Sequence, residues 1–246
     1  MEWTLIAFVV TVVLVASTAQ TLVGFGFALI AVPFFVAVLD VKDTVALTTL
    51  LGLVNTSLVA RHAWRHVPWR TVSWMLAGSL VGMPIGLAVL LFAPEDALRL
   101  GVGASTLVMA AALASGVRLG DSSIGRELGV GLLSGVLNTS TSMNGPPVVL
   151  YLQGLEHPPQ SFRGGLAVFF TAVSLLTLVA FLATGVVTLF AAGLAAAALP
   201  AVFAGSFAGH ALLQRVDPVL FRRLVFALLV AAALSAVGSS IARMMG

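Results

Sequence analysis

The stretch Asn138-Thr139-Ser140-Thr141-Ser142-Met143-Asn144-Gly145-Pro146-Pro147 interrupts an otherwise apolar part of the chain. Six of its ten side chains can form hydrogen bonds, and none is charged. Apolar sequence flanks it on both sides, from Leu128 to Val136 and from Val148 to Leu152. Pro146 and Pro147 lack a backbone N–H group and disfavour helix at the residue before them. A helix that enters this stretch must therefore break within it.

The composition excludes a water-soluble domain. Hydrophobic residues make up 60% of the 246 residues, charged residues 9%, and the mean hydropathy is +1.12. Soluble domains carry about 25% charged residues. In lipid the backbone must form its hydrogen bonds internally, which leaves helices or a closed barrel. Because the apolar runs are continuous rather than alternating, we predict an all-α polytopic membrane protein in the lipid bilayer.

Several function classes have no support in the sequence. The chain has no Cys, which excludes disulfides and thiolate metal sites. The net charge of +3 is typical of loop Arg residues facing a membrane surface, so we expect no nucleic-acid partner. The apolar runs contain no catalytic constellation of acid, base and nucleophile. We therefore expect no enzyme, no cofactor and no metal.

About eight hydrophobic segments are long enough to approach or reach the ~20 residues of a spanning helix. The first has 37 residues, so a straight helix would be ~55 Å long against a ~30 Å hydrocarbon core. It must be broken, and Gly24-Phe25-Gly26 is the expected place. The fifth segment is broken at its two prolines. The segments are Trp3–Leu39, Thr44–Ala60, Trp69–Phe92, Ala97–Val117, Leu128–Leu155, Gly164–Thr184, Val186–Leu213 and Pro218–Ile241.

The chain reads as one unit used twice, with a first repeat at 1–120 and a second at 121–246. The segment that starts at Gly26 aligns with the one that starts at Gly145. The pair Gly82 and Gly86 aligns with Gly205 and Gly209. Glycines at this spacing are also the usual close-packing motif between membrane helices, and packing is the commoner reason for them.

Loop charges distinguish two topologies. If all eight segments cross the membrane, six basic residues lie on each side and no orientation is favoured. If the first and fifth segments are re-entrant hairpins, the split becomes 9 to 3, as the positive-inside rule requires. Each half then has one hairpin and three crossings, so the two repeats are inverted, as in many secondary transporters. The nine residues are Arg61, Arg65, Arg70, Arg118, Arg126, Arg163, Arg215, Arg222 and Arg223, against Lys42, Arg99 and Arg243.

Two hairpins that enter from opposite sides would bring their tips together near the middle of the membrane. The first N–H groups of each second half-helix are unpaired and lie at the positive end of its dipole, which suits an anion. The alternative is that the hydroxyl groups only satisfy backbone opened by the prolines. The predicted substrate-binding residues are Gln20, Thr21, Gly24, Phe25, Gly26, Asn138, Thr139, Ser140, Ser142, Asn144, Gly145 and Pro146, with Asn55, Thr56, Arg163 and Ser174 as secondary candidates along the path.

On these residues the chain resembles the TauE/SafE permeases. The resemblance rests on Gly24-Phe25-Gly26 followed by Pro33, on Asn144-Gly145-Pro146-Pro147 leading to Tyr151, and on Phe162-Arg163 at the start of the next helix. It spans essentially the whole chain. It implies transport of sulfur-containing anions such as sulfite, sulfoacetate or sulfonates.

We therefore predict a multi-pass secondary transporter of a small anion in a cell membrane of the bacterial inner-membrane type. A coupling proton or Na⁺ is a possible further partner, with the oligomeric state and the direction of transport left open. An anion channel or a non-transporting accessory membrane subunit remains the alternative.

Overall fold

A computed structural model describes residues 2–115 and 121–212, and this part of the chain is almost entirely helical. The predicted eighth segment, Pro218–Ile241, lies outside the described residues, as do Arg118 and the basic residues beyond position 212. A short 3-10 helix, Trp64–His66, joins the third and fourth α-helices. The α-helices are α1 (Glu2–Val23), α2 (Phe27–Val38), α3 (Val41–Ala63), α4 (Trp69–Phe92), α5 (Glu95–Ser115), α6 (Ile124–Thr141), α7 (Gly145–Gly154), α8 (Pro159–Thr184) and α9 (Leu189–Leu212).

The first predicted break is confirmed at Gly24–Gly26, between α1 and α2. Gly24 and Gly26 have φ angles of 93° and 114°, which glycine adopts without a steric penalty. Gln20 stabilises the turn with both its backbone and its side chain. Its carbonyl oxygen accepts a hydrogen bond from the Gly24 N–H group at 2.7 Å, and its side-chain Oε1 accepts one from the Phe27 N–H group at 3.0 Å. The side chain thus takes the place of a cap at the start of α2.

The second predicted break is confirmed between Thr141 and Gly145. Ser142 ends α6 in the left-handed region, with φ 58°. Its N–H group donates to the Asn138 carbonyl oxygen at 3.0 Å, which is the single bond of an αL-type helix end. The Met143 N–H group donates to the Leu137 carbonyl oxygen at 3.3 Å. Two residues later, α7 begins with Pro146 and Pro147 in its first turn.

Helix lengths separate spanning helices from partial ones. Within the described residues, five helices are long and apolar enough to cross a membrane, namely α1, α3, α4, α8 and α9. By contrast, α2 has 12 residues and α7 has 10, or ~18 and ~15 Å of helix. Each break is therefore followed by a helix of about half the hydrocarbon thickness.

Each hairpin packs its longer arm against a helix of the other half. Gly205 and Gly209 of α9 lie against Leu14 and Thr18 of α1, while Gly82 of α4 lies against Leu132 of α6. A Cβ atom at any of these glycines would collide with a backbone carbonyl oxygen or the Cβ of a facing residue. The predicted glycine pairs are thus packing contacts, and both helix pairs run parallel because residue numbers rise together along each contact.

Hydrogen bonds identify which loops share an end of the bundle. At one end, the Val41 N–H group donates to Glu95 at 3.0 Å and the Thr188 hydroxyl group donates to Asp43 at 2.7 Å, so the starts of α3, α5 and α9 lie together. We call this the Asp43 end. Since α1 runs parallel to α9, it also starts here, and α2 returns here because Arg99 of α5 donates to the Leu39 carbonyl oxygen.

The opposite end holds the turn between α3 and α4 and the starts of α6 and α8. Thr71 of α4 donates to Glu127 of α6 at 3.1 Å, and Gly164 of α8 lies against Ala63. We call this the Glu127 end. The hairpin α6–α7 starts here and returns here, because Tyr151 near the end of α7 lies beside Glu127. The two hairpins thus enter the bundle from opposite ends.

Candidate functional site

A small cavity of about 50 Å³ lies where the two breaks meet. A water molecule needs ~10–15 Å³ of such volume, so the cavity has room for a few waters or one small oxyanion. None of its lining residues is fully exposed and, within the described part of the chain, none carries a charge. The lining consists of Gln20, Gly26, Phe27, Ala28, Leu29, Thr48, Thr49, Gly52, Thr56, Asn138, Ser142, Met143, Asn144, Gly145, Phe170 and Ser174.

The cavity lies halfway along α3. Its α3 residues run from Thr48 to Thr56 and are centred on Gly52, the middle residue of that 23-residue helix. Phe27 of α2 lies next to Gly52. Ser142 lies nearer the Asp43 end, where its hydroxyl group donates at 3.2 Å to the carbonyl oxygen of Val45, about two turns before Gly52. The hairpins therefore overlap slightly, with the cavity between them.

Half of the predicted substrate-binding residues line this cavity. They come from both breaks, and two of the secondary candidates join them. The lining set is Gln20, Gly26, Asn138, Ser142, Asn144 and Gly145, together with Thr56 and Ser174.

The other predicted residues lie near the breaks but outside the cavity lining. The Thr139 hydroxyl group donates to the Met83 carbonyl oxygen at 2.9 Å across the α4–α6 contact, and the Ser140 hydroxyl group donates to Val136 within its own helix at 2.7 Å. Pro146 is buried among apolar residues. Thr21 faces α9 and Gly24 faces α8. Phe25 packs against both hydrophobic clusters of the interior.

The secondary candidates Asn55 and Arg163 hold helices together. Asn55 accepts a hydrogen bond from the Ser206 hydroxyl group at 2.9 Å, which links α3 to α9. Arg163 donates to the Thr21 carbonyl oxygen at 2.7 Å. That carbonyl lies in the last turn of α1, at the negative end of its dipole, so the guanidinium group caps this helix.

Two side chains in the cavity have hydrogen-bond donors without an acceptor among the described residues. The amide nitrogen of Asn144 and the hydroxyl oxygen of Thr48 are buried and have no hydrogen-bond partner among the described residues. An unpaired buried donor costs ~1–3 kcal/mol, so a ligand that accepts from it is favoured. By contrast, the amide nitrogen of Asn138 donates to Thr177 at 2.6 Å.

The backbone contributes donors mainly from the first break. At the start of α2, Gln20 takes the Phe27 N–H group, while those of Ala28 and Leu29 have no acceptor among the described residues. At the start of α7, two of the first three residues are proline and have no N–H group. The two tips therefore differ in their donors, and the Asn144 amide supplies a donor where the prolines do not.

A family model described as Sulfite exporter TauE/SafE matches residues 9–236. The chain belongs to the TauE/SafE family. No curated protein and no solved structure matches it. The match includes both breaks, so the cavity of this TauE/SafE protein lies inside the region that defines the family.

Among the α3 residues that line the cavity of this TauE/SafE protein, sequence reasoning predicted Thr56 but missed Thr48, Thr49 and Gly52. Thr48, Gly52 and Thr56 are spaced four residues apart, so they form a stripe on one face of that helix. Small and hydroxyl-bearing residues along one face of an apolar helix were the available signal. The stripe forms the wall that both hairpins face.

A second and larger cavity, of about 660 Å³, opens on the other side of the first break. Gln20 lines the small cavity and its neighbour Thr21 lines the large one. The described lining includes the basic side chains Arg61 and Arg163 together with two histidines. In this TauE/SafE protein the hydrogen bond from Arg163 to Thr21 thus lies at the wall between a basic vestibule and the polar cavity.

Proposed function

We propose that this protein is a secondary transporter of a small sulfur oxyanion or organosulfonate, bound in the cavity between the two helix breaks. The observation that carries the proposal is the buried, uncharged cavity in which Asn144 and Thr48 offer unpaired donors. Hydrogen bonds from neutral donors hold an anion without the strong attraction of a buried Arg, so the anion is able to leave again. The family match supports sulfur-related anions as the substrate class.

The vestibule supports a route to this site from the Glu127 end. Arg61 and Arg163 give it a positive character that attracts anions from solution. Since the two cavities are separated by the first break, passage requires movement of that break relative to α8. This arrangement favours a gated transporter over an open channel.

The charge distribution supports an orientation in a bacterial-type inner membrane. The Glu127 end carries Arg61, Arg65, Arg70, Arg126 and Arg163, whereas the Asp43 end carries Lys42 and Arg99 among the described residues. By the positive-inside rule the Glu127 end is cytoplasmic. The proposal therefore includes inverted repeats, with the vestibule open to the cytoplasm.

The test is ligand-dependent stabilisation followed by transport. Purified protein is heated with sulfite, sulfate, thiosulfate, sulfoacetate or a carboxylate, and a true ligand raises the melting temperature by mass action. The stabilising anion is then followed by counterflow in proteoliposomes, which requires a binding site that alternates between the two sides. Flux that does not saturate would favour a channel, and no binding or flux with any anion would favour an accessory subunit.

Selectivity provides a second check on the chemistry of the site. Donors without a buried cation should bind a sulfonate because its oxygens carry charge and accept hydrogen bonds. A neutral sulfone of the same shape should compete weakly. Equal competition by the sulfone would contradict an anion site.

A further inference from the structure

Glu127 is a buried carboxyl group that the cavity does not use. It lies in the first turn of α6 and is 0% exposed. Its Oε1 atom accepts hydrogen bonds from the hydroxyl groups of Thr71 and Ser122, each at 3.1 Å. Its Oε2 atom is buried and has no hydrogen-bond partner, and no basic side chain pairs with the carboxyl group in the described structure.

These surroundings supply no counter-charge to the buried carboxyl group. Burying an ionised carboxylate without a cation costs several kcal/mol. The start of α6 and the two hydroxyl donors offset part of that cost. Protonation at the bare Oε2 atom removes the charge and gives the group a donor of its own. The neighbouring Tyr151 hydroxyl group is also buried and faces Ser122 and Glu127, so it can exchange a hydrogen bond with either form of the carboxyl group.

The other charged groups nearby do not neutralise Glu127. From α7 the facing titratable group is Tyr151, and from α4 the facing group is the Thr71 hydroxyl. Asp121, in the turn before α6, forms an ion pair with Arg126 at 3.3 Å, and both of these side chains are largely exposed. A proton from the aqueous phase is thus the simplest charge-compensating ligand for the buried carboxyl.

We propose that Glu127 is the proton-binding group that couples a proton gradient to anion transport. This inference rests on the proposed function. Glu127 joins the base of the hairpin α6–α7, where α6, α7 and α4 meet, while the tip of the same hairpin carries Asn144 and Gly145 into the cavity. Tyr151 is six residues from Gly145 along α7, or ~9 Å.

The short helix α7 therefore touches the proton site with one end and the anion site with the other. When Glu127 is protonated, the base of the hairpin packs dry against α4. When it is ionised, the charge draws water in from the Glu127 end and loosens that packing. A shift of α7 alters the anion cavity, and by linkage anion binding alters the affinity for the proton. Because their charges are opposite, we expect proton and anion to cross together.

The experiment uses full-length protein in proteoliposomes without Na⁺, with labelled sulfite as the probe. Wild type should accumulate sulfite on the alkaline side, roughly tenfold per pH unit if one proton accompanies each anion. Glu127→Gln keeps the shape and cannot be ionised, so it should exchange sulfite by counterflow yet accumulate none. Glu127→Asp should restore coupling. Asp121→Asn is the matched control, because it removes an exposed carboxylate from the same end and should behave as wild type.

Infrared spectroscopy gives a readout that a purely structural role would not move. Wild type should show a protonated-carboxyl C=O band that disappears as the pH rises, and Glu127→Gln should lack it. Undiminished gradient-driven accumulation by Glu127→Gln would overturn the inference, as would accumulation driven by a Na⁺ gradient in place of a proton gradient. If wild type exchanges sulfite but ignores the pH gradient, only the inference fails. Absence of exchange with any sulfur anion refutes the proposed function itself and the coupling with it.

Discussion

Replacing Asn144 with leucine separates a ligand-binding role from a structural one. Its side-chain nitrogen is buried without a partner, and no side-chain hydrogen bond caps α7. Leucine has a similar volume and no donor. If the Asn144 amide donates a hydrogen bond to the bound anion, the substitution removes a binding contact. At the same time it removes an unsatisfied polar group from the interior of the ligand-free protein.

Asn144→Leu should therefore weaken anion binding without lowering the stability of the ligand-free protein. A hydrogen bond to a charged group contributes ~1.5–3 kcal/mol, so losing it weakens anion binding roughly tenfold to hundredfold. The unpaired donor costs ~1–3 kcal/mol in the ligand-free protein. Its removal should leave the melting temperature unchanged or raise it by a few degrees, since ~1 kcal/mol corresponds to about 2–4 °C at this chain length.

Asn138→Leu is the matched comparison, because Asn138 lines the same cavity but has a partner. Its loss leaves the Thr177 hydroxyl group buried and unpaired, so this variant should melt several degrees lower. Both variants are measured by thermal melting without ligand and by titration with the stabilising anion. If Asn144→Leu melts well below wild type and still binds the anion normally, Asn144 is a structural residue and the site assignment is refuted.

Further substitutions test the geometry of the breaks and the topology. Gly145→Ala places a methyl group at ordinary contact distance at the cavity edge, without backbone strain. Large sulfonates should therefore lose more affinity than sulfite. Equal losses of affinity in a binding titration would contradict the placement of Gly145 at the cavity edge. Ser142→Ala keeps the strained left-handed φ and loses a hydrogen bond. Ser142→Gly relieves ~1–2 kcal/mol of that strain, so the alanine variant should melt at a lower temperature than the glycine variant. The reverse order of melting temperatures would contradict this expectation. Cys substituted at Asp121 or His157 should be labelled from the cytoplasmic side and Cys at Glu95 only from outside, whereas opposite-side labelling of the first two would mean that the fifth segment crosses the membrane.

The sequence was enough to predict both breaks because each follows from a local rule. The first segment is too long for one crossing and contains Gly24 and Gly26, and the second contains adjacent prolines. The sequence could not show which polar side chains face the cavity. Thr139 and Ser140 are neighbours of the lining residue Asn138, yet helical rotation turns both away from the cavity.

The position of Glu127 shows another limit of reading apolar runs. The fifth segment was expected to begin at Leu128, which left Glu127 among the loop charges. In the structure Ser123 caps α6, its hydroxyl oxygen accepting from the Arg126 N–H group, and the helix starts at Ile124. Glu127 therefore lies inside the helix and under the turn that precedes it. Ser123 could have indicated where the helix starts. Burial of the Glu127 carboxyl group depends on packing against α4 and α7, and a local sequence pattern does not predict that packing.

The packing of each longer hairpin arm against a helix of the other half has a consequence for biogenesis. The arm α1 leaves the ribosome before its packing partner α9, because the seven α-helices α2 to α8 are made between them. Until then, the surface of α1 around Leu14 and Thr18 must be covered by lipid or by an insertion factor. The arm α6 meets a finished partner, since α4 is already in place when it emerges. The docking of α1 on α9 should therefore follow the packing of α6 on α4. Two halves of the chain expressed from separate genes should accumulate only when both are expressed in the same cell.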